Sequence, residues 1–310
     1  MELQTKVDIP SPVRQISHSD KIMFLGSCFA DEIGGRMEEH MYDVMVNPFG
    51  VLFNPASIAA SLHRLSCREY FTEESLVKHK DLWLSYFHSG RFYSADKYEL
   101  LERLNVELDR AADHFASARH IILTLGTSRV YRLISGNYIV ANCHRSPASD
   151  FERLLLEPDE IWGLLGPLIT AYPDKQWILT VSPVRHLKDG ARENQVSKAS
   201  LHLAVDKLLK CYGNVSYFPA YEIMNDELRD YRFYATDMFH PAETAVGYIW
   251  EKFARSHFPE GEQRLNEKIA RYCAMSKHRA LFPESEEFTA FRKSAGNLKE
   301  EIDKDLSFFR

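Results

Sequence analysis

Residues 21–30 read Lys21-Ile22-Met23-Phe24-Leu25-Gly26-Ser27-Cys28-Phe29-Ala30. The apolar run from Lys21 to Leu25 is too short for a helix and stops at Gly26, after which a helical pattern extends from Cys28 to about His40. Strand, tight turn and helix in that order open an α/β fold. Two more runs have the same character: HIILTL (His120 to Leu125) and QWILTV (Gln176 to Val181) are continuously apolar, as in strands buried on both faces of a parallel sheet. Shorter strands fit Val44 to Val46 and Asn214 to Phe218. Helical patterns lie between them, over Pro55 to Cys67 with Asn54 as cap, Lys97 to Ala118, and Asn194 to Tyr212. The alternation predicts a parallel sheet covered by helices on both faces.

The intervening segments read less regularly. Leu82 to Ser94 alternates aromatic and polar residues around Ser89-Gly90, which predicts a surface hairpin. RVYRLI and NYIVA flank Ser135-Gly136 as a second hairpin, and a helix is expected from Ser149 or Asp150 to about Ala171. Beyond Trp250 the chain turns polar, with charged helical patterns over Gly261 to Lys277 and Ser285 to Leu306 broken at Pro283. The 310 residues therefore divide into an α/β domain over 1–258 and a helical C-terminal appendage over 259–310.

A net charge of −6 and a pI near 6.1 provide no basic field for a phosphate backbone, so nucleic acid is excluded as a partner. There is no apolar leader in MELQTKVDIPSPVRQ and no run long enough to span a bilayer, which predicts a cytoplasmic chain without a membrane partner. The five cysteines lack paired spacing and read as reduced thiols rather than a disulfide framework or a metal site. A zinc site built from Cys143, His144 and Asp237 lacks that spacing too. Cys28, one residue past the turn, is expected to point into helix packing as an inert thiol.

In an open α/β sheet, ligands bind beyond the carboxyl ends of the strands. The segments there are Gly26 to Cys28, Asn47 to Gly50, Gly126 to Ser128 and Ser182 to His186. Ser27 stands where a helix begins, among N–H groups that can receive an oxyanion; the plain alternative is an N-cap serine. Its base is expected in ATDMFHP, where Asp237 precedes His240 by three residues. A carboxylate at that spacing can turn back onto the imidazole Nδ1–H, fix the tautomer and stabilise the imidazolium formed when Nε2 takes a proton.

GSCFA (Gly26 to Ala30), followed in order by NPFGVLFNP, LTLGTSRVY, ANCH, SPVRH and DMFHP, resembles the GSCFA domain family, related to the SGNH or GDSL hydrolases. The resemblance spans roughly 17–258. It implies a three-layer α/β/α, flavodoxin-like fold with the nucleophile after the first strand and the base in the last loop, and hydrolase chemistry that needs no cofactor or metal. SGNH enzymes complete the oxyanion hole with a glycine N–H after the second strand, a role that Gly50 suits, and with an asparagine after the third. Gly126-Thr127-Ser128 lacks that asparagine, leaving Thr127, Ser128 or Asn142 as candidate donors beside the Ser27 N–H. Arg185 and His186 follow a strand and are candidates to line the substrate crevice, as are His88 and His144.

The expected function is acyl ester hydrolysis or acyl transfer, with a small-molecule or carbohydrate ester, such as an acetylated sugar, as substrate. The alternative is a non-catalytic glycan- or ligand-binding protein on a degenerate fold of this kind. Neither reading fixes an oligomeric state.

Overall fold

A computed structural model describes residues 4–279 and 281–307. Strand β1 (Lys21–Gly26) leads into α1 (Cys28–Glu39), β2 (Asp43–Val46) and α2 (Pro55–Cys67), whose Asn54 side chain accepts the Ser57 N–H as an N-cap. A small antiparallel sheet follows, made of β3 (Leu76–His79), β4 (Leu82–Ser85) and β5 (Tyr93–Ser94). Next come α3 (Lys97–Ser117), β6 (His120–Leu125) and a second small sheet of β7 (Arg129–Leu133), β8 (Tyr138–Val140) and β9 (Phe151–Leu155). The chain continues through α4 (Pro158–Ala171), β10 (Gln176–Val181), α5 (Ala191–Cys211) and β11 (Val215–Tyr217). It closes with α6 (Ala220–Glu222), which runs on as a π-helical turn over Ile223–Leu228, then α7 (Glu243–His257), α8 (Glu260–Lys277) and α9 (Glu286–Ser307). Among the described residues, no helix is long and apolar enough to cross a membrane.

The central sheet has the order β11-β10-β6-β1-β2, with all neighbours parallel. Side chains alternate across it with the pleat. Ile22, Phe24, Ile122 and Ile178 pack with α1 and α7, whereas Met23, Leu25, Ile121, Leu123, Trp177 and Leu179 pack with the helices α2 to α5. The result is the three-layer α/β/α architecture expected from the sequence, with helices appended at the C-terminus. In this strand order the direction of winding reverses between β1 and β6, and it is beyond the carboxyl ends of the strands at such a point that ligands bind in open α/β sheets.

The structure corrects two expectations. The tight turn of the first small sheet lies at Lys80-Asp81, where Lys80 adopts φ 54 and His79 pairs with Leu82. β4 and β5 do pair antiparallel across Ser89-Gly90, as a hairpin there requires, but the connection between them is long and folds inward rather than lying on the surface: the Ser89 N–H donates to Phe49 O at 3.0 Å. Its Tyr86, Phe87 and His88 are packing residues, so the alternation of the sequence continues without a strand. The helix expected from about Ser149 starts only at Pro158, because Phe151 to Leu155 pairs antiparallel with β7. Pro158 sets the helix start, and the Glu160 side chain turns back to accept the Glu157 N–H at 2.7 Å.

The C-terminal helices are fastened to the α/β layers. Leu265 and Ile269 of α8 bury against Ile302 and Leu306 of α9 and against Met41. The buried Glu262 accepts the His18 N–H at 3.0 Å and bonds the His18 ring, while Asn266 Nδ2 donates to Tyr42 OH at 3.0 Å.

Candidate active site

The turn after β1 is held from three sides. Gly26 adopts φ +146, and a Cβ there would lie 2.2 Å from Thr124 O; only glycine allows the β1 and β6 backbones so close at the switch point. Its N–H donates to Asn47 Oδ1 at 2.8 Å and its carbonyl accepts the Leu52 N–H at 2.8 Å. Asn47, itself at φ 46, passes its amide on to Asp31 Oδ1 at 2.6 Å. The N–H of Ser27 donates to Thr124, at 3.0 Å to the carbonyl and 2.9 Å to Oγ1.

Ser27 is 1% exposed. Its Oγ accepts the Phe29 N–H at 3.3 Å and lies 3.3 Å from Thr124 Oγ1, so the side chain caps α1 in this state. Among the described residues Ser27 Oγ makes no hydrogen bond to His240.

The loop before α7 carries the second half of the site. Asp237 Oδ2 lies 2.7 Å from His240 Nδ1, and Oδ1 accepts the N–H groups of Phe239 at 2.9 Å and His240 at 3.0 Å. These backbone donors, and then the imidazole, draw the Asp237 carboxyl down to about 2, so it is ionised at neutral pH. A carboxylate accepts only, hence Nδ1 carries the hydrogen and Nε2 is left as the basic nitrogen of the neutral ring. The Arg185 N–H donates to Phe239 O at 3.3 Å, and this bond ties the Asp237–His240 loop to the end of β10.

A buried polar clamp organises the remaining strand ends. Lys198 of α5 is 2% exposed and donates 2.7 Å bonds to Gly126 O and Ser182 O, joining the ends of β6 and β10. Burial, and then Arg185, brings its ammonium down to about 7. One residue earlier, Ser197 Oγ bonds Thr127 Oγ1 and the Ser128 N–H, both at 2.8 Å. Asn194, one turn before, accepts the His186 N–H at 2.9 Å. Gly126 N–H and Thr127 N–H both donate to Phe53 O, at 2.9 and 2.8 Å.

The candidate residues from the sequence thus separate into two groups. Thr127 and Ser128 bond Ser197, His186 bonds Asn194, and the Asp237–His240 loop bonds Arg185, all around the ends of β6 and β10, while Ser27 at the end of β1 is bonded to Thr124 of β6. Gly50 (φ +74) adjoins the Ser27 turn through the Asn47 turn and spends its N–H on Asn47 O at 2.7 Å. His88 and His144 converge instead on Ser85, at 2.9 Å to its hydroxyl and 2.8 Å to its carbonyl. His88 rests among Phe49, Phe71 and Phe92, and burial lowers it to about 3. Asn142 Oδ1 accepts the His144 N–H at 2.8 Å; this trio braces the small sheets. Cys28 and Cys143 are partly buried thiols raised above their ordinary value by desolvation, which keeps them protonated. Among the described residues no cluster of three or more His, Cys, Asp or Glu could hold a metal.

Sequence reading missed Thr124, Asn47 and the Asn194–Ser197–Lys198 face. The last left a signal: these polar residues continue the apolar stripe Leu201, Val205 and Leu208 at helical spacing, and all are buried. Polar side chains on a core-facing stripe need partners, and here the partners are the loops of the site.

The GSCFA family profile matches residues 21–253, from β1 into α7. No curated protein matches the chain. A solved structure from Streptococcus pneumonia, provisionally described as a platelet activating factor, is similar at 11% identity with a TM-score of 0.38, covering 76% of this chain and 83% of that one.

Proposed function

This chain belongs to the GSCFA family, and we propose that it is an SGNH-type serine hydrolase or acyltransferase acting on a small ester, such as an acetylated carbohydrate. The observation that carries this reading is the 2.7 Å bond from His240 Nδ1 to Asp237, made in a loop tied to the same strand-end edge as Ser27. It supplies an oriented base, and the β1–α1 turn supplies a hydroxyl at the start of a 12-residue helix.

In the proposed mechanism Ser27 Oγ attacks the ester carbonyl carbon while His240 Nε2 takes its proton, and Asp237 stabilises the imidazolium. The tetrahedral intermediate collapses as His240 returns the proton to the leaving alcohol. Water or a second alcohol then cleaves the acyl-serine by the same route in reverse. To face His240, Ser27 Oγ leaves its cap on Phe29; an N-cap is worth about 1 kcal/mol, small against the 8 kcal/mol or more, roughly, that enzymes remove from a barrier. Capping is thus compatible with a nucleophile's role, and bonds between nucleophile and base often tighten only with substrate bound.

A second reading, ligand binding without catalysis, draws on the engagement of the Ser27 and Gly50 N–H groups by Thr124 and Asn47. Labelling with a fluorophosphonate separates the two. The parent is expected to be modified at Ser27, and Ser27→Ala and His240→Ala to lose labelling. A parent that stays unlabelled favours the binding reading, and labelling that survives Ser27→Ala refutes the nucleophile.

A further inference from the structure

Three buried polar nitrogens without a hydrogen-bond partner gather beyond the end of β10: Arg185 Nε, His186 Nε2 and Asn194 Nδ2. Folded proteins pair nearly all such groups, so each one left over needs a cause, and a ligand or a catalytic role is among them. His186 is the one that lies against the end of β6. Its Nε2 lies 3.2 Å from where a Cβ on Gly126 would sit, with Phe53 O 2.8 Å from the same point. Gly126 lacks a side chain, and this lets the imidazole and the Phe53 backbone close over the end of β6. The ring is held edge-on to Phe53 with centroids 5.4 Å apart, and its backbone N–H is fixed by Asn194.

We propose that His186 is a further catalytic residue whose Nε2–H donates to the carbonyl oxygen of the substrate as that oxygen becomes an oxyanion. The proposal rests on the serine-hydrolase reading of the same crevice. In the step concerned, the bond from Ser27 Oγ to the carbonyl carbon forms, the carbonyl π pair moves onto oxygen, and the serine proton passes to His240. His186 transfers no proton and only stabilises the charge. Gly126-Thr127-Ser128 offers no amide side chain at this position, and Thr127 and Ser128 are already committed to Ser197. Burial, and then Lys198, lower His186 to about 4, so at neutral pH the ring is uncharged and can present one N–H, as an amide would. Asn194 is a positioning residue that holds the His186 backbone.

The test compares fluorophosphonate labelling rates and thermal midpoints of the parent, His186→Met and His186→Gln. One oxyanion donor is worth roughly 100- to 1,000-fold in rate, so His186→Met is expected to slow labelling by about that factor. His186→Gln, which restores an N–H donor, is expected to recover at least about tenfold of it. Because Nε2 has no partner in the protein, its removal is expected to leave the midpoint unchanged or raised. Loss of rate in proportion to loss of stability, without rescue by Gln, would assign His186 a structural role and overturn the proposal. So would labelling of His186→Met at the parental rate. An unlabelled parent would overturn the hydrolase reading and this proposal together, whereas a labelled parent and an equally labelled His186→Met would overturn this proposal alone.

Discussion

Asp237 has two separable tasks, because its two oxygens have different partners. Oδ1 accepts the Phe239 and His240 N–H groups and builds the loop, and Oδ2 receives the imidazole. In Asp237→Asn an amide oxygen can still hold the backbone, while the amide nitrogen turned to His240 forces the hydrogen onto Nε2, the nitrogen that must take the serine proton. The substitution is expected to lower the fluorophosphonate labelling rate about 1,000- to 10,000-fold with little change in thermal midpoint. A near-parental labelling rate would remove Asp237 from the proposed mechanism. This pair was legible in the sequence because three residues of spacing suffice to form its bond. The relation of Ser27 to His240 was legible only as topology, since 212 intervening residues place them and no local rule sets a rotamer. His186 could be flagged by its place after a strand, but its direction toward Gly126 depends on Phe53 and Asn194, which come from two other elements.

Elements differ in how far local pattern determines them. β1, β6 and β10 are buried on both faces, so each is largely apolar, with polar residues such as Lys21, Thr124 and Gln176 at or near the strand ends, and their runs stand out in the sequence. β9 has only a half-buried face and owes its state to pairing with β7; FERLL could equally continue a helix, and long-range hydrogen bonds decide the outcome. Helix α5 shows the reverse, a helix well read whose purpose was not, because Lys198 looks like an exposed residue until its neighbours are known. Its ammonium titrates at about 7 in the fold against an ordinary 10.5. Between those values the unfolded chain holds more protons than the folded one, so stability rises with pH across that window and is flat below it. Lys198→Met, which cannot titrate, removes this dependence and leaves Gly126 O and Ser182 O without the lysine donor. The variant is expected to melt below the parent throughout, by a margin that is wider at pH 9.5 than at pH 6.5 (both roughly at the ends of the window). Equal margins at the two pH values would show that Lys198 is not the titrating group.

At the scale of the whole molecule, the parallel sheet separates chemistry from anchorage. Ser27 follows β1 at its carboxyl end, whereas His18 precedes β1 at the opposite end, where α8 docks through Glu262. Six residues of strand at about 3.3 Å each set the two ends roughly 20 Å apart. Changes at such separations act independently unless a packed element links them. The polar composition after Trp250 was legible as helices but not as a docked layer, since the contacts are few and specific: Leu265 and Ile269 face α9 and Met41, and Glu262 enters a buried polar site. Glu262→Ala removes both carboxylate acceptors from His18 and is expected to cost about 2 kcal/mol of stability, measured by denaturant unfolding. It is expected to leave the rate of Ser27 labelling within about twofold of the parent at temperatures where the protein stays folded. A large fall in labelling with the fold intact would mean that the appended helices act on the crevice through the sheet. Unchanged stability would mean that the His18–Glu262 contact does not anchor them.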